Sequence, residues 1–243
     1  MVWQALGALP WEDNLRMTTS LKIDFVSDVS CPWCAIGLGA LEQALTQLNG
    51  EVSAQLHCQP FELNPHMGPG GQDITEHLTE KYGSTPAQQT QARDMIRQRG
   101  AEVGFAFNTE GRGRIYNTFD AHRLLHWAGV VAPERQLALK KALLKACHTD
   151  RQVMESHAVL QQAAADAGLD AAEAQAVLGS GRYADEVRAQ EAFYARHGIR
   201  SVPAFIVNDR HLISGGQPAA VFEQALRQIA TEAAEAATAA NGA

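Results

Sequence analysis

The apolar run Leu21-Lys22-Ile23-Asp24-Phe25-Val26 leads into Ser30-Cys31-Pro32-Trp33-Cys34, and Ala35 to Leu48 follow with apolar residues at helical spacing. No other feature constrains the chain as strongly. A buried strand runs into a pair of cysteines two residues apart, and a helix starts at once. The first thiol therefore sits at a helix N-terminus, where unpaired backbone N–H groups and the helix dipole favour a thiolate. The second lies one turn later on the same face, close enough to close a disulfide. A strand that ends in Cys-x-x-Cys and turns directly into a helix is a redox signature.

A chain of 243 residues, 46% hydrophobic and 19% charged, is long enough for one large domain, or one domain with an insertion, around a substantial core. Its formal charge of −7 argues against nucleic acid as a partner, because that affinity rests on clustered Lys and Arg. The short basic stretch Arg112-Gly113-Arg114 reads as a solvated loop. No window approaches the roughly 20 apolar residues of a membrane span, so no membrane contact is expected. The N-terminus lacks the pattern of a signal peptide, and the expected compartment is the cytoplasm. There a Cys-x-x-Cys is catalytic or metal-binding rather than part of a disulfide framework. A structural zinc site needs a second ligand pair, and Cys58 and Cys147 do not have that spacing, so no metal is expected.

In chain order, residues 1–20 read as a leader without chemistry, residues 1–16 being dispensable if Met17 is the native start. After the cysteine helix, Asn49-Gly50 is a stop signal, and Val52, Ala54, Leu56 and Cys58 alternate with polar residues as in a half-buried strand. Strand, helix, strand is a βαβ unit with parallel strands. Cys58 then faces the core, and His57 lies exposed or on the rim. Pro60-Phe61-Glu62-Leu63-Asn64-Pro65 breaks the strand near the same sheet end as the helix start. From Gln72 to about His197 the period becomes helical, in segments 74–82, 86–102, 117–127, 133–147, 153–167, 171–178 and 183–197. Cys147 follows Leu139 and Leu143 at four-residue steps and reads as a core residue. Val202-Pro203-Ala204-Phe205-Ile206-Val207, Asn208-Asp209 and His211-Leu212-Ile213 read as a hairpin. Ser214-Gly215-Gly216-Gln217-Pro218 then opens a final helix through Ile229. The Ala-rich residues 233–243 read as a fraying helix end or a disordered tail.

This order of elements, with the strings Asp28-Val29-Ser30-Cys31-Pro32-Trp33-Cys34, Pro60 to Pro65, Asn117-Thr118-Phe119-Asp120-Ala121-His122-Arg123-Leu124, Ser201 to Phe205 and Ser214 to Pro218, resembles the FrnE-like branch of the DsbA family. The resemblance spans residues 21 to about 230. That branch is related to 2-hydroxychromene-2-carboxylate isomerases and kappa-class glutathione transferases. The implied fold is α/β: a thioredoxin fold with a large all-helical insertion between its βαβ and ββα halves. On that plan residues 21–66 form the first half, 67–183 the insertion and 184–232 the second half, with 233–243 as a tail.

The resemblance implies thiol–disulfide exchange on protein or small-molecule thiols, or isomerisation. Cys31 is the exposed nucleophile that forms a mixed disulfide, and Cys34 resolves it. Pro32 and Trp33 offer an apolar surface to substrate. Pro203 matches a cis-proline facing the disulfide, leaving the Val202 backbone free to pair with an extended substrate. No cofactor is implied beyond the redox-active pair, with glutathione as a conceivable co-substrate, and homodimer formation is left open. The alternative is a glutathione-dependent isomerase or transferase on an aromatic molecule; such relatives usually carry Ser at the Cys31 position, so two cysteines argue for dithiol chemistry. One position departs from the better-known relatives: they place an acid six residues before the first cysteine, where this chain has Phe25. Neither Asp24 nor Asp28 is assigned as the proton acceptor. His122 and Arg123 read equally well as site residues reaching a thiolate or carboxylate and as ordinary helix residues.

Overall fold

A computed structural model describes residues 18–241. The expected dispensable leader, residues 1–16, lies outside the described residues. Strand β1 (Thr19–Ser27) starts inside the segment expected as leader. It is followed by α1 (Pro32–Gln47) and β2 (Val52–Pro60). Then come β3 (Gln72–Asp73), α2 (Ile74–Tyr82), α3 (Pro86–Glu102), β4 (Arg114–Ile115), α4 (Phe119–Val131), α5 (Pro133–His148), α6 (His157–Asp166), α7 (Ala171–Leu178) and α8 (Ala184–Arg196). The chain closes with β5 (Ala204–Val207), β6 (His211–Ser214) and α9 (Ala219–Asn241).

The main sheet has the order β2-β1-β5-β6. β1 and β2 are parallel, as a βαβ crossover requires, while β5 runs antiparallel to both β1 and β6. The register sets Phe25 between Cys58 on one side and Phe205 on the other. Phe25 and Phe205 stack at 4.8 Å, and Phe222 of α9 meets Phe205 edge-on at 4.9 Å. Leu21, Ile23 and Phe25 thus share one core with Leu38 and Leu41 of α1 and Leu226 of α9. The other face of β1 presents Val26, which with Ala204 meets Tyr194 of α8 and Ile199. Side chains of this size, fully buried, contribute about 1.5–3 kcal/mol each.

Helix boundaries have local causes. Asp73 caps α2 by accepting from the Thr75 and Glu76 N–H groups, Thr85 and Gln88 form a capping box on α3, and Pro occupies the first turn of α1, α3 and α5. Residues 153–156 turn instead of opening α6. Two expectations need correction. The insertion is not all-helical: Gln72–Asp73 pairs with Arg114–Ile115 as a two-stranded ribbon. Two residues per strand are too few to show alternation. Gly71, at φ +61°, permits the approach, since a Cβ there would lie 2.1 Å from the Ile115 carbonyl oxygen. The last helix continues to Asn241, because Ala, Glu and Gln favour the helix and no Gly or Pro interrupts it before Gly242.

Candidate active site

Cys31 is the residue that precedes α1. Its backbone is extended (φ −91°, ψ 114°), its thiol makes no capping bond, and Pro32 opens the helix. The sulfur thus lies at the positive end of the helix without capping it. It lies 3.7 Å from the Val202 carbonyl oxygen. The Val202–Pro203 peptide is cis. Gly215 N–H donates to the Pro203 carbonyl at 2.8 Å, and Gly216 comes so close to Trp33 that a Cβ there would meet the Trp33 carbonyl at 3.2 Å. The Ser214–Pro218 segment therefore pins the proline loop against the cysteine helix. Pro32, Trp33 and Val202 line the cleft beside Cys31. Pro203 is buried and packs toward Gly37.

All four cysteines are free thiols and all are buried. Cys31, expected as an exposed nucleophile, is only 4% exposed, because the Val202 loop and Ser30 flank it; it is reached from the cleft. The two sulfurs are pulled in opposite directions. The Cys34 thiol hydrogen-bonds to Cys31 and lowers the Cys31 pKa; burial and the charge on Asp28 oppose this, and the Cys34 and Trp33 N–H groups add to it. Burial raises Cys34 well above the ordinary thiol value, and its bond to Cys31 adds to this, while Lys140 acts the other way.

Beneath the pair, Asp28 holds the site together. Its Oδ1 accepts from Ser30 N–H at 3.0 Å and its Oδ2 from Leu63 N–H at 2.7 Å, tying the cysteine loop to the Pro60–Pro65 segment. Burial acts to raise its pKa, but His122 and these two N–H groups outweigh it and bring the carboxyl down to about 2. His122 Nε2 lies 3.6 Å from Oδ1, an ion-pair separation rather than a hydrogen bond. His122 thus reaches the layer below the thiols. Arg123 does not: buried, it binds the Val177, Ser180 and Arg182 carbonyls and Asp120, clamping α4 to α7 and the turn that follows it. Glu62 accepts from Arg188 and Asn117, so the segment carrying Leu63 is held from both sides.

The cleft encloses about 720 Å³, and its wall is largely apolar, with Phe61, Leu63, Ile74, Leu78, Ile96 and Phe107. Cations also border it: Lys81, Arg93, Arg97, Arg112 and Arg200, against the carboxylate of Glu62 alone among the described residues. Arg112, expected in a solvated loop, turns inward. Its Nη1 donates to Ser30 Oγ at 2.9 Å and reaches Cys147 Sγ at 3.5 Å, and it also lines a second cavity of 430 Å³ with Arg114 and Arg151. The loop's spacing carried no sign of this. Cys58 is a core thiol whose pKa burial pushes up to about 11; its backbone is read by Gln136, which accepts from its N–H and donates to its carbonyl. Burial also raises Cys147. His148 donates from Nε2 to the Val29 carbonyl at 3.0 Å, and burial, helped by Arg112, keeps it well below the ordinary imidazole pKa. Gln136, Lys140 and His148 were legible only as a pattern: they fall at helical spacing in the same buried stripe of α5 as Leu139, Leu143 and Cys147. Among the described residues no group of three or more His, Cys, Asp and Glu side chains is placed to hold a metal ion.

Residues 22–227 match the family model described as the DSBA-like thioredoxin domain. The chain belongs to the DsbA-like thioredoxin family. A probable DsbA oxidoreductase from Streptomyces coelicolor is 36% identical in sequence, with a TM-score of 0.77 over 86% of this chain and 89% of that one. An uncharacterized protein of Bacillus subtilis, YwbO, is 27% identical over 211 residues, 86% of this chain and 96% of that protein. A 2-hydroxychromene-2-carboxylate isomerase, at 12% identity, shares the fold with a TM-score of 0.63 over 88% of this chain and 98% of that one. This DsbA-like protein is a thiol–disulfide oxidoreductase, and its α/β architecture is the thioredoxin fold with inserted helices.

Proposed function

We propose that Cys31 and Cys34 are the exchanging pair, with Cys31 as nucleophile and Cys34 as resolving thiol. The observation that carries this is the opposite pull on the two sulfurs: Cys31 is lowered at a helix N-terminus in the cleft, and Cys34 is raised in the interior. A thiolate is needed first at the sulfur the substrate can reach, and there only. Cys31 attacks one sulfur of a substrate disulfide, expelling the other as a thiolate. Cys34 then attacks Cys31, closing the Cys31–Cys34 bond and releasing the second substrate thiol. The reverse sequence oxidises a dithiol.

The apolar cleft bordered by five cations points to substrates with an apolar body and negative groups, peptide or small molecule, with Trp33, Pro32 and Val202 nearest the reacting sulfur. Glutathione, a small anionic thiol, suits the same cleft as a co-substrate. Four unpaired thiols fit work in a reducing compartment such as the cytoplasm, and the ordered strings around both cysteines suit the FrnE-like branch. The presence of Cys34 favours dithiol exchange over glutathione-dependent isomerisation.

Redox titration with differential alkylation and mass spectrometry, joined to an insulin-reduction assay, tests the assignment. The expected result is a Cys31–Cys34 disulfide in the oxidised protein, loss of activity in Cys31→Ser, and a trapped mixed disulfide in Cys34→Ser. Equal activity of wild type and Cys31→Ser, or no disulfide at any poise, overturns it.

A further inference from the structure

Lys140 of α5 is fully buried, and its ammonium has no hydrogen-bond partner among the described residues. Nζ lies 5.6 Å from the centre of the Phe25 ring, on the residue six positions before Cys31. Better-known relatives carry their acid at that position; here an aromatic face takes the place and a cation from the inserted helices stands over it. A buried ammonium without an acceptor is costly in any state, except one in which an anion forms beside it. Its charge favours proton loss at four groups: Cys34 at the start of α1, Cys58 on β2, and Cys147 and His148 on α5 itself. Asp28 and Arg112 act on Cys147 and His148 from the same layer. Of these thiols, only Cys34 adjoins the cleft cysteine.

We infer that Lys140 is the electrostatic positioning residue for the resolving step, supplying the counter-charge that lets buried Cys34 exist as a thiolate. The inference rests on the assignment of Cys31 and Cys34 above. Cys34 gives up its proton and attacks Cys31 Sγ. The Cys31–Cys34 bond forms as the Cys31–substrate bond breaks, the substrate sulfur leaves with the electron pair, and it takes up the proton that Cys34 lost. Lys140 takes no part in the proton transfer; its part is to face the thiolate while it exists.

The test uses the full-length reduced protein and a chromogenic aryl disulfide that releases one coloured thiolate when Cys31 attacks and a second when Cys34 resolves. In Lys140→Met the first phase should stay within about twofold of wild type. The second should slow roughly tenfold near neutral pH, the equivalent of about one pKa unit at Cys34. Its pH profile should shift to the alkaline side and reach the wild-type plateau, while Lys140→Arg keeps the wild-type profile. Replacing an unpaired buried cation by an apolar side chain of similar length is compatible with folding. If Lys140→Met nevertheless fails to fold, lysine-ε-15N NMR of the wild type decides: the Lys140 signal should move between the reduced and disulfide forms. An unmoved profile, an equal slowing of both phases, or an unmoved signal overturns the inference. If the wild type itself shows no second phase and forms no Cys31–Cys34 disulfide, the exchange assignment has failed, and the inference with it.

Discussion

At the scale of single residues, Asp28 shows how one carboxylate joins two distant stretches of the chain, the cysteine loop at Ser30 and Leu63 after β2, through one oxygen each. Its folded pKa of about 2 lies below the ordinary 3.8, so the ionised form is the stabilising one. Its contribution is complete above the ordinary value and is lost as pH falls through the folded value. Asp28→Asn keeps one acceptor but turns an amide N–H toward the other donor, at a cost of roughly 1–3 kcal/mol. Acid titration of stability by denaturant melts should therefore show a falling limb between about pH 4 and 2 that is reduced in Asp28→Asn, by an amount on the order of 2 kcal/mol.

Between elements, the site depends on how closely α1 approaches β5. A Cβ built on Gly37 would lie 3.1 Å from Pro203 Cγ and 3.2 Å from the Phe205 ring, so any side chain there makes the proline strand or the ring give way by a few tenths of an ångström. Gly37→Val must push α1 away from β5 or distort Phe205. It should destabilise the fold by about 1–3 kcal/mol, read as a lower midpoint in urea. It should also slow attack by Cys31, because the Val202 carbonyl moves relative to the sulfur. The elements were largely legible in advance: α2, α3 and α7 lie where apolar spacing and breaks set them, and the Asn208-Asp209 turn closes the expected hairpin at φ values of +51° and +58°. The β3–β4 ribbon was not legible, since its pairing is made by backbone groups of residues with no alternating pattern.

For the molecule as a whole, the inserted helices form much of the wall of the cleft and place cations around it on a chain of net negative charge. Arg112 lines both the cleft and the second cavity, anchored on Ser30, which borders both, beside Cys31. Arg112→Met should raise KM for an anionic disulfide such as oxidised glutathione roughly tenfold, the worth of one charged hydrogen bond. KM for an uncharged aryl disulfide should change far less, and steady-state kinetics on the two substrates makes the comparison. A parallel rise for both would remove the argument that the cations select negative substrates.

The sequence by itself determined the reactive motif, its strand and helix and the order of elements, because these follow from local spacing, turn residues and helix-end electrostatics; that Pro203 faces the cysteines was implied only by the family resemblance. Only the tertiary structure decided the partners around that motif: Asp28 beside His122, Arg123 spent on a clamp, Arg112 turned inward, and Lys140 over the Phe25 ring. The physical reason is that the charge state of a buried sulfur depends on groups within a few ångströms. Apart from Asp28, those groups come from distant positions in the chain, brought close by packing that no local pattern encodes.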